Sequence, residues 1–237
     1  MTPSQRTLII GGSSGIGLAT AQAFLAANDT VIVAGRSQAK LDAAGVVLGS
    51  TVTLETVDAT SDASVTALFD RIGPVDHVVV TSASGAPMGP FQAIGLGAIQ
   101  HAVETKLLAQ ARVAHAASRA VTKAGSLTLV SGVAGRRVVP MLSAIGVANA
   151  GIEALGQYLA KELAPVRVNV IAPGLVDTPA YEGMDPTART QMLEATAASL
   201  PVGRVGTAAD IAQAILLTAK NGYLTGTVIE VDGGAHL

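Results

Sequence analysis

The stretch that most constrains this chain is a glycine-rich turn set directly behind a short apolar run: Leu8-Ile9-Ile10-Gly11-Gly12-Ser13-Ser14-Gly15-Ile16-Gly17. The apolar run has the character of a buried strand, and a helical stretch opens behind the glycines at Ile16. Glycines at such a junction permit a tight turn and let the backbone approach a phosphate closely. The first N–H groups of the helix and its dipole then favour an anion at the same point. A lone glycine motif is weak. Placed between a first strand and a first helix, it predicts a site for the pyrophosphate of a dinucleotide. A structural turn without a ligand is the competing reading.

The rest of the chain keeps the rhythm that the turn begins. Thr7–Ile10, Thr30–Ala34, Val52–Val57, His77–Ser82, Ser126–Ser131, Val166–Ala172 and Thr227–Val231 read as strands. They are Val- and Ile-rich and often unbroken, as strands covered on both faces are. Helical stretches separate them: Ile16–Ala27, Gln38–Val47, Ala63–Arg71, Ala98–Val121, Ser143–Leu163 and Ala208–Lys220, with Asp62 and Thr207 as expected N-caps. Strand–helix alternation predicts an α/β fold of the doubly wound Rossmann type, a parallel sheet of about seven strands with helices on both faces. The reading is a single domain over 1–237, without linker or repeat. One segment breaks the rhythm: Leu175–Gly206 is rich in Pro and Gly and holds one further helix at Thr187–Ala198. An insertion at the carboxyl end of a strand commonly covers a ligand crevice.

Composition removes several classes of function. The chain has no cysteine, which excludes disulfides, thiolate chemistry and Cys-based zinc sites. A net charge of −2, no basic cluster and 3% aromatic residues argue against nucleic-acid binding. No apolar run reaches membrane-spanning length. Met1-Thr2-Pro3-Ser4-Gln5-Arg6 lacks the pattern of a secretion signal, so the expectation is a cytoplasmic protein. His101 and His115 have no metal-ligand partner in the sequence and read as structural; no metal site is expected.

The second strand ends Val33-Ala34-Gly35-Arg36-Ser37. An acidic residue here would bind a ribose 2′-hydroxyl and favour NAD. None is present. Arg36 can instead pair with a 2′-phosphate and Ser37 can add a hydrogen bond, which favours NADP(H) over NAD(H). The bland reading of Arg36 is a solvated surface cation.

These motifs together resemble the short-chain dehydrogenase/reductase family over nearly the whole chain. Gly11, Gly15 and Gly17 have that family's G-x3-G-x-G spacing. Val57-Asp58-Ala59-Thr60 resembles its adenine-contacting segment, which assigns Asp58 and Ala59 to the cofactor. Arg167-Val168-Asn169-Val170-Ile171-Ala172-Pro173-Gly174 is similar to its R-V-N-x-x-x-P-G run, and Val176 and Thr178 match positions near the nicotinamide. Pro201-Val202-Gly203-Arg204 and Val231-Asp232-Gly233-Gly234 resemble further signatures. The resemblance implies cofactor contacts from Gly11, Ser13, Ser14, Gly15, Ile16, Gly17, Arg36, Ser37, Asp58, Ala59, Pro173, Gly174, Val176 and Thr178. It also implies a homotetramer or homodimer.

The family's chemistry uses an Asn on the fourth helix, a Ser after the fifth strand and a Tyr-x-x-x-Lys. Here those positions read Lys106, Gly132, Ile145 and Asn149, and the segment after the fourth strand is Thr81-Ser82-Ala83-Ser84. No Tyr lies between Gly132 and Gln157, so no shift of register restores the set; Tyr158 reads as packing. Lys106 is the leading replacement, because a desolvated Lys can act as an acid or polarise an oxygen. Binding backbone carbonyls in a helix bend is its equal alternative. Asn149 can bond the nicotinamide ribose. Ser131 and Ser84 are weaker candidates, and Tyr181 reads as an anchor of the covering segment rather than a catalyst. Arg136 and Arg137 either meet an anionic substrate or face solvent. Tyr181, Met184 and Met192 point to a small, apolar substrate. Two functions stay open. One is an NADP(H)-dependent oxidoreductase with an atypical site that reduces a carbonyl or activated double bond. The other is a catalytically silent NADP(H)-binding sensor or partner subunit. A third, weaker reading is cyclisation or isomerisation in the same pocket.

Overall fold

The computed structural model describes residues 4–81, 85 and 87–237. Its centre is a parallel sheet of seven strands: β1 (Arg6–Ile10), β2 (Thr30–Gly35), β3 (Thr53–Thr56), β4 (Val75–Val80), β5 (Val121–Val130), β6 (Arg167–Pro173) and an edge strand, Val228–Val231. The spatial order is β3-β2-β1-β4-β5-β6 and then the edge strand. Strand order reverses between β1 and β4, which places a crevice at their carboxyl ends. There Thr81 donates its backbone N–H and its hydroxyl to the carbonyl of Ile10, at 2.9 and 3.1 Å.

Alternating residues of each strand feed two cores, one per face. Leu8 and Ile10 of β1 join Ile32, Val78, Val80, Leu127 and Leu129 beneath α3 (Asp62–Ile72), which adds Val65 and Leu68. Ile9 joins Val31, Val33, Val79 and Ile171 on the opposite face. That face is closed by Phe24 of α1 (Gly15–Ala26), Leu41 of α2 (Gln38–Leu48), and Ile211 and Ile215 of the helix Ala208–Lys220. Each fully buried Leu, Ile or Phe is worth roughly 1.5–3 kcal/mol, so both faces of the sheet are fixed by burial. This is why the strand sequences are unbroken apolar runs. Arg167 and Asn169 hold the end of that helix and the loop behind it. Arg167 donates to the carbonyls of Thr218 and Ala219, each at 2.6 Å, and Asn169 to that of Leu224 at 2.8 Å.

Three local expectations change. Thr207 is an N-cap, in a reciprocal capping box with Asp210, but the cap of α3 is Ser61, whose hydroxyl accepts from Ser64 N; Asp62 is already in the first helical turn. The long fourth helix is not uniform. It runs as α4 (Phe91–Ala102), a π-helical turn over Val103–Leu108, and α5 (Ala109–Ala120). After it β5 starts at Val121, before the Ser126 expected from pattern, with an irregular register against β4 between Val75 and His77. The sixth helix, α6, runs Ser143–Glu162.

The segment behind β6 forms a two-residue strand, Val176–Asp177, paired with Gly206–Thr207, and then a helix, α7, over Pro186–Ser199. No residue of α7 is buried. The Asp185 side chain caps it and Arg189 pairs with Asp177 at 2.6 Å. No helix among the described residues is long and apolar enough to cross a membrane.

Candidate active site

The glycine turn is built so that only glycine fits at its closest point. A Cβ on Gly17 would lie 2.1 Å from the carbonyl oxygen of Gly11, and Gly15 has φ +51° beside the Thr178 side chain. Gly11 donates its N–H to Ala34 O at 2.8 Å, which ties the turn to the end of β2. Ser14 stands at the N-cap of α1 in extended conformation, its side chain making no cap bond, and the first turn carries no acidic residue. The Ser14 side chain therefore satisfies none of the N–H groups at this end, and no acidic side chain of the first turn competes with an anion there. Ser13 lies against Gly35, Ile16 is half-buried and Thr178 packs on Gly15. Gly174 sits so close to Asp232 that a Cβ would meet its Cα at 2.8 Å, while Pro173 ends β6 and Val176 is buried beyond it.

Arg36 and Ser37 are exposed at the end of β2. Ser37 accepts from Lys40 N and caps α2, so its hydroxyl already has a local role. Arg36 forms no ion pair among the described residues. Asp58 is exposed behind β3 and accepts from the N–H and hydroxyl of Thr60 at 2.9 and 2.7 Å. Those bonds hold its carboxyl below the usual range against a small burial penalty, with Arg36 and Arg112 adding attraction. Ala59 is buried beside it.

Lys106 lies in the π-helical turn, on the buried stripe that also carries Ala102, Ala109, Gln110 and Val113. Its residue is 8% exposed. Nζ donates to the backbone carbonyl of Ser131 at 2.7 Å and to Asn149 Oδ1 at 2.6 Å. Burial alone pushes its pKa from 10.5 down to about 8. Glu104, two residues earlier, pairs with Arg112 at 2.8 Å instead. Such π turns recur at functional sites, because they re-aim one side chain without ending the helix. One turn on, Gln110 donates to Val130 O at 2.9 Å and accepts from Val130 N at 3.2 Å, which pins the helix to the end of β5.

Asn149 is 3% exposed on α6. Its amide fills the space that a side chain at position 132 would need: a Cβ on Gly132 would lie 2.8 Å from Asn149 Nδ2. Ile145 is half-buried one turn earlier. Ser131 meets Lys106 through its carbonyl, not its hydroxyl. The Ser131 hydroxyl donates to Glu153 at 3.0 Å, and Arg136 clamps Glu153 at 2.8 Å and Glu230 at 2.9 Å. Arg136 and Arg137 are both exposed, and Arg136 is occupied by the two carboxylates.

The structure brings Lys106, Ser131 and Asn149 together at the carboxyl ends of the central strands, the same end of the sheet as the glycine turn. Sequence reasoning missed Gln110, Glu153 and Glu230. A signal existed for the first: Lys106 and Gln110 are polar residues four apart on an otherwise apolar helix stripe. Tyr158, read from sequence as packing, is 69% exposed on α6. His101 and His115 are exposed on α4 and α5. Tyr181, Met184 and Met192 are half-buried, and burial raises the Tyr181 hydroxyl above its ordinary pKa. Ser82 and Ser84 lie outside the described residues.

A sequence family described as enoyl-(acyl carrier protein) reductase matches residues 11–236. The chain is 31% identical to short-chain dehydrogenase/reductase ATR9 of Stachybotrys chlorohalonatus, over 98% of this chain and 97% of the relative. It is also 31% identical to 3-oxoacyl-[acyl-carrier-protein] reductase FabG of Chlamydia muridarum, again over 98% and 97%. A crystal structure of a small-chain dehydrogenase in complex with NADPH superposes with a TM-score of 0.87 and 39% identity, covering 98% of this chain and 99% of that one.

Proposed function

Because the chain belongs to the short-chain dehydrogenase/reductase family, we propose that it is an NADP(H)-dependent oxidoreductase in which Lys106 serves as proton donor for reduction of a carbonyl or activated double bond. The observation that carries this reading is the Lys106 ammonium, buried and held by two neutral oxygens at 2.7 and 2.6 Å. Among the described residues, two of its three N–H bonds are spent on positioning, and the third is the one offered to a reacting oxygen. A donor with a pKa near 8 is suited to giving up a proton near neutral pH.

The cofactor site supports the same reading. The Gly11–Gly17 turn leaves room that a Cβ at Gly17 would fill, and the N-terminus of α1 offers N–H groups to a pyrophosphate. Ser13, Ser14 and Ile16 border that turn. Arg36 is the cation for a 2′-phosphate, Asp58 and Ala59 flank the adenine, and Pro173, Gly174, Val176 and Thr178 approach the nicotinamide. Bound NADPH supplies the hydride. The protein's part is to hold the substrate oxygen against Lys106 Nζ, deliver the proton to the developing alkoxide, and regain it from solvent. The 175–206 segment closes over the crevice, with Tyr181, Met184 and Met192 forming an apolar wall for a small substrate. The chain pairs with further copies through the π turn and α6, where Leu108 of the first and Val147 and Tyr158 of the second are exposed.

The test joins binding and turnover. NADPH is expected to bind more tightly than NADH, and Arg36→Ala to weaken NADPH by about 10- to 100-fold, the loss of a charge-assisted bond, while leaving NADH unchanged. Tighter binding of NADH by the wild type would overturn the cofactor assignment. Turnover of a carbonyl panel that Lys106→Met abolishes is the expected catalytic result. NADPH binding without turnover across ketones, enones and imines would instead establish the silent binding role.

A further inference from the structure

The proton-donor reading of Lys106 leaves open what holds its ammonium in place and keeps it labile. We propose that Asn149 is the positioning residue for Lys106, a neutral acceptor seated on α6 opposite the π turn, and that Gly132 exists to give its amide room. One contact and two close approaches support this. Asn149 Oδ1 accepts from Lys106 Nζ at 2.6 Å. Asn149 Nδ2 occupies the volume beside Gly132, where a Cβ would stand 2.8 Å away. A Cβ on Gly135 would likewise lie 2.9 Å from Asn149 Cβ and from the Ala150 backbone nitrogen, so the turn behind β5 packs closely on α6 at this residue. Gly132 has φ 165° and ψ 153°, extended backbone that any residue adopts, so its glycine is required by space and not by conformation.

The charged groups around the ammonium support the same view. Glu153, one turn beyond Asn149 on α6, spends one carboxylate oxygen on Ser131 and the other on Arg136. Glu104 on the π turn pairs with Arg112 from α5, which also pairs with Asp62 of α3. Glu153 and Glu104 are thus engaged elsewhere, and among the described residues the acceptors of Lys106 are a backbone carbonyl and an amide. Neutral acceptors orient an ammonium without pinning its proton as a carboxylate would. An Asn at 149 therefore separates position from charge: the lysine is fixed in space while its proton stays transferable.

This inference builds on the proposed role of Lys106, and its test reads the lysine directly so that the two can fail separately. The chain has five lysines, so side-chain NMR of the full-length protein with labelled Lys can follow the Lys106 titration, assigned by its loss in Lys106→Met. Asn149→Asp places a carboxylate at the acceptor and is expected to raise the Lys106 pKa by one unit or more. Gly132→Ala pushes the amide away, removes an acceptor from the charged form, and is expected to lower it. Opposite shifts support the assignment. Shifts in the same direction, or none beyond about 0.3 units in either variant, overturn it, whatever turnover does. If Asn149→Asp does not fold, the direction in Gly132→Ala decides alone. Where turnover is measurable, the alkaline limb of its pH profile should move with the NMR value. A limb that stays put while the NMR value moves would sink the proton-donor role and leave the positioning role intact.

Discussion

Replacing Lys106 by Met tests the energetics of the site independently of any substrate. Met has a similar length and no charge, so the change removes the ammonium while keeping most of the volume. Burial lowers the Lys106 pKa from 10.5 to about 8. A difference of that size corresponds to about 3 kcal/mol between the two protonation states. The folded-state value is the lower one, so between pH 8 and 10.5 the unfolded chain binds more protons than the folded chain. Stability from this group therefore rises with pH through that window, and below pH 8 the full penalty of burying the charge is in force. Lys106→Met abolishes that contribution. It also leaves the Ser131 carbonyl and Asn149 Oδ1 without their donor, at about 1–3 kcal/mol each. The two effects oppose one another near neutrality, so stability at pH 7 does not discriminate. The pH dependence does. Urea unfolding at intervals from pH 7 to 10.5 should show wild type gaining about 3 kcal/mol on the variant as pH rises, since other titrating groups cancel in the difference. A flat difference would refute a Lys106 whose pKa burial has lowered. In the reducing direction the same substitution should cost on the order of 100- to 10,000-fold in kcat, with NADPH affinity kept.

Three further outcomes follow from other contacts. His77 is buried on β4 with its pKa lowered to about 4, mainly by burial. The folded chain then binds fewer protons than the unfolded one between pH 6.5 and 4, and stability falls as pH drops through that range, by about 3 kcal/mol. His77→Leu should flatten the loss, as measured by urea unfolding at pH 7.5 and 4.5; an unchanged acid slope would count against it. Gly17→Ala sets a Cβ 2.1 Å from Gly11 O and must displace the turn, so NADPH affinity should drop by about 100-fold, read by fluorescence titration. Asp210→Ala breaks the capping box that holds Thr207 N at 2.8 Å and loses the Arg204 pair, which should cost about 1–2 kcal/mol. Scanning calorimetry would register that as a Tm lowered by roughly 2–4 °C per kcal/mol.

The strands and the glycine turn were legible because their causes are local. Unbroken Val and Ile runs specify strands covered on both faces, and the seven expected strands are the seven of the main sheet. Ser61 displaced Asp62 as a cap because both can serve and only the backbone path shows which lies outside the helix. The π turn was invisible to a helical period, since its extra residue is absorbed without any glycine or proline to mark it. Tyr158 read as packing from its place in an apolar helix, yet α6 turns that residue to its exposed side.

Sequence by itself determined the α/β order, the glycine turn behind β1 and the Arg rather than an acid at position 36, because each depends on residues adjacent in the chain. The resemblance drawn from sequence also singled out Lys106, Gly132, Ile145 and Asn149 as the positions expected to bear on chemistry. Only the tertiary structure decided what those residues are to one another. Lys106 and Asn149 are 43 residues apart and come within 2.6 Å because α6 and the π turn pack together at the end of β5. Ser131 reaches the lysine through its carbonyl because its hydroxyl is claimed by Glu153, which Arg136 holds in turn. Such partnerships follow from burial, where an unpaired polar group is costly, and which partner it finds depends on packing across the whole chain.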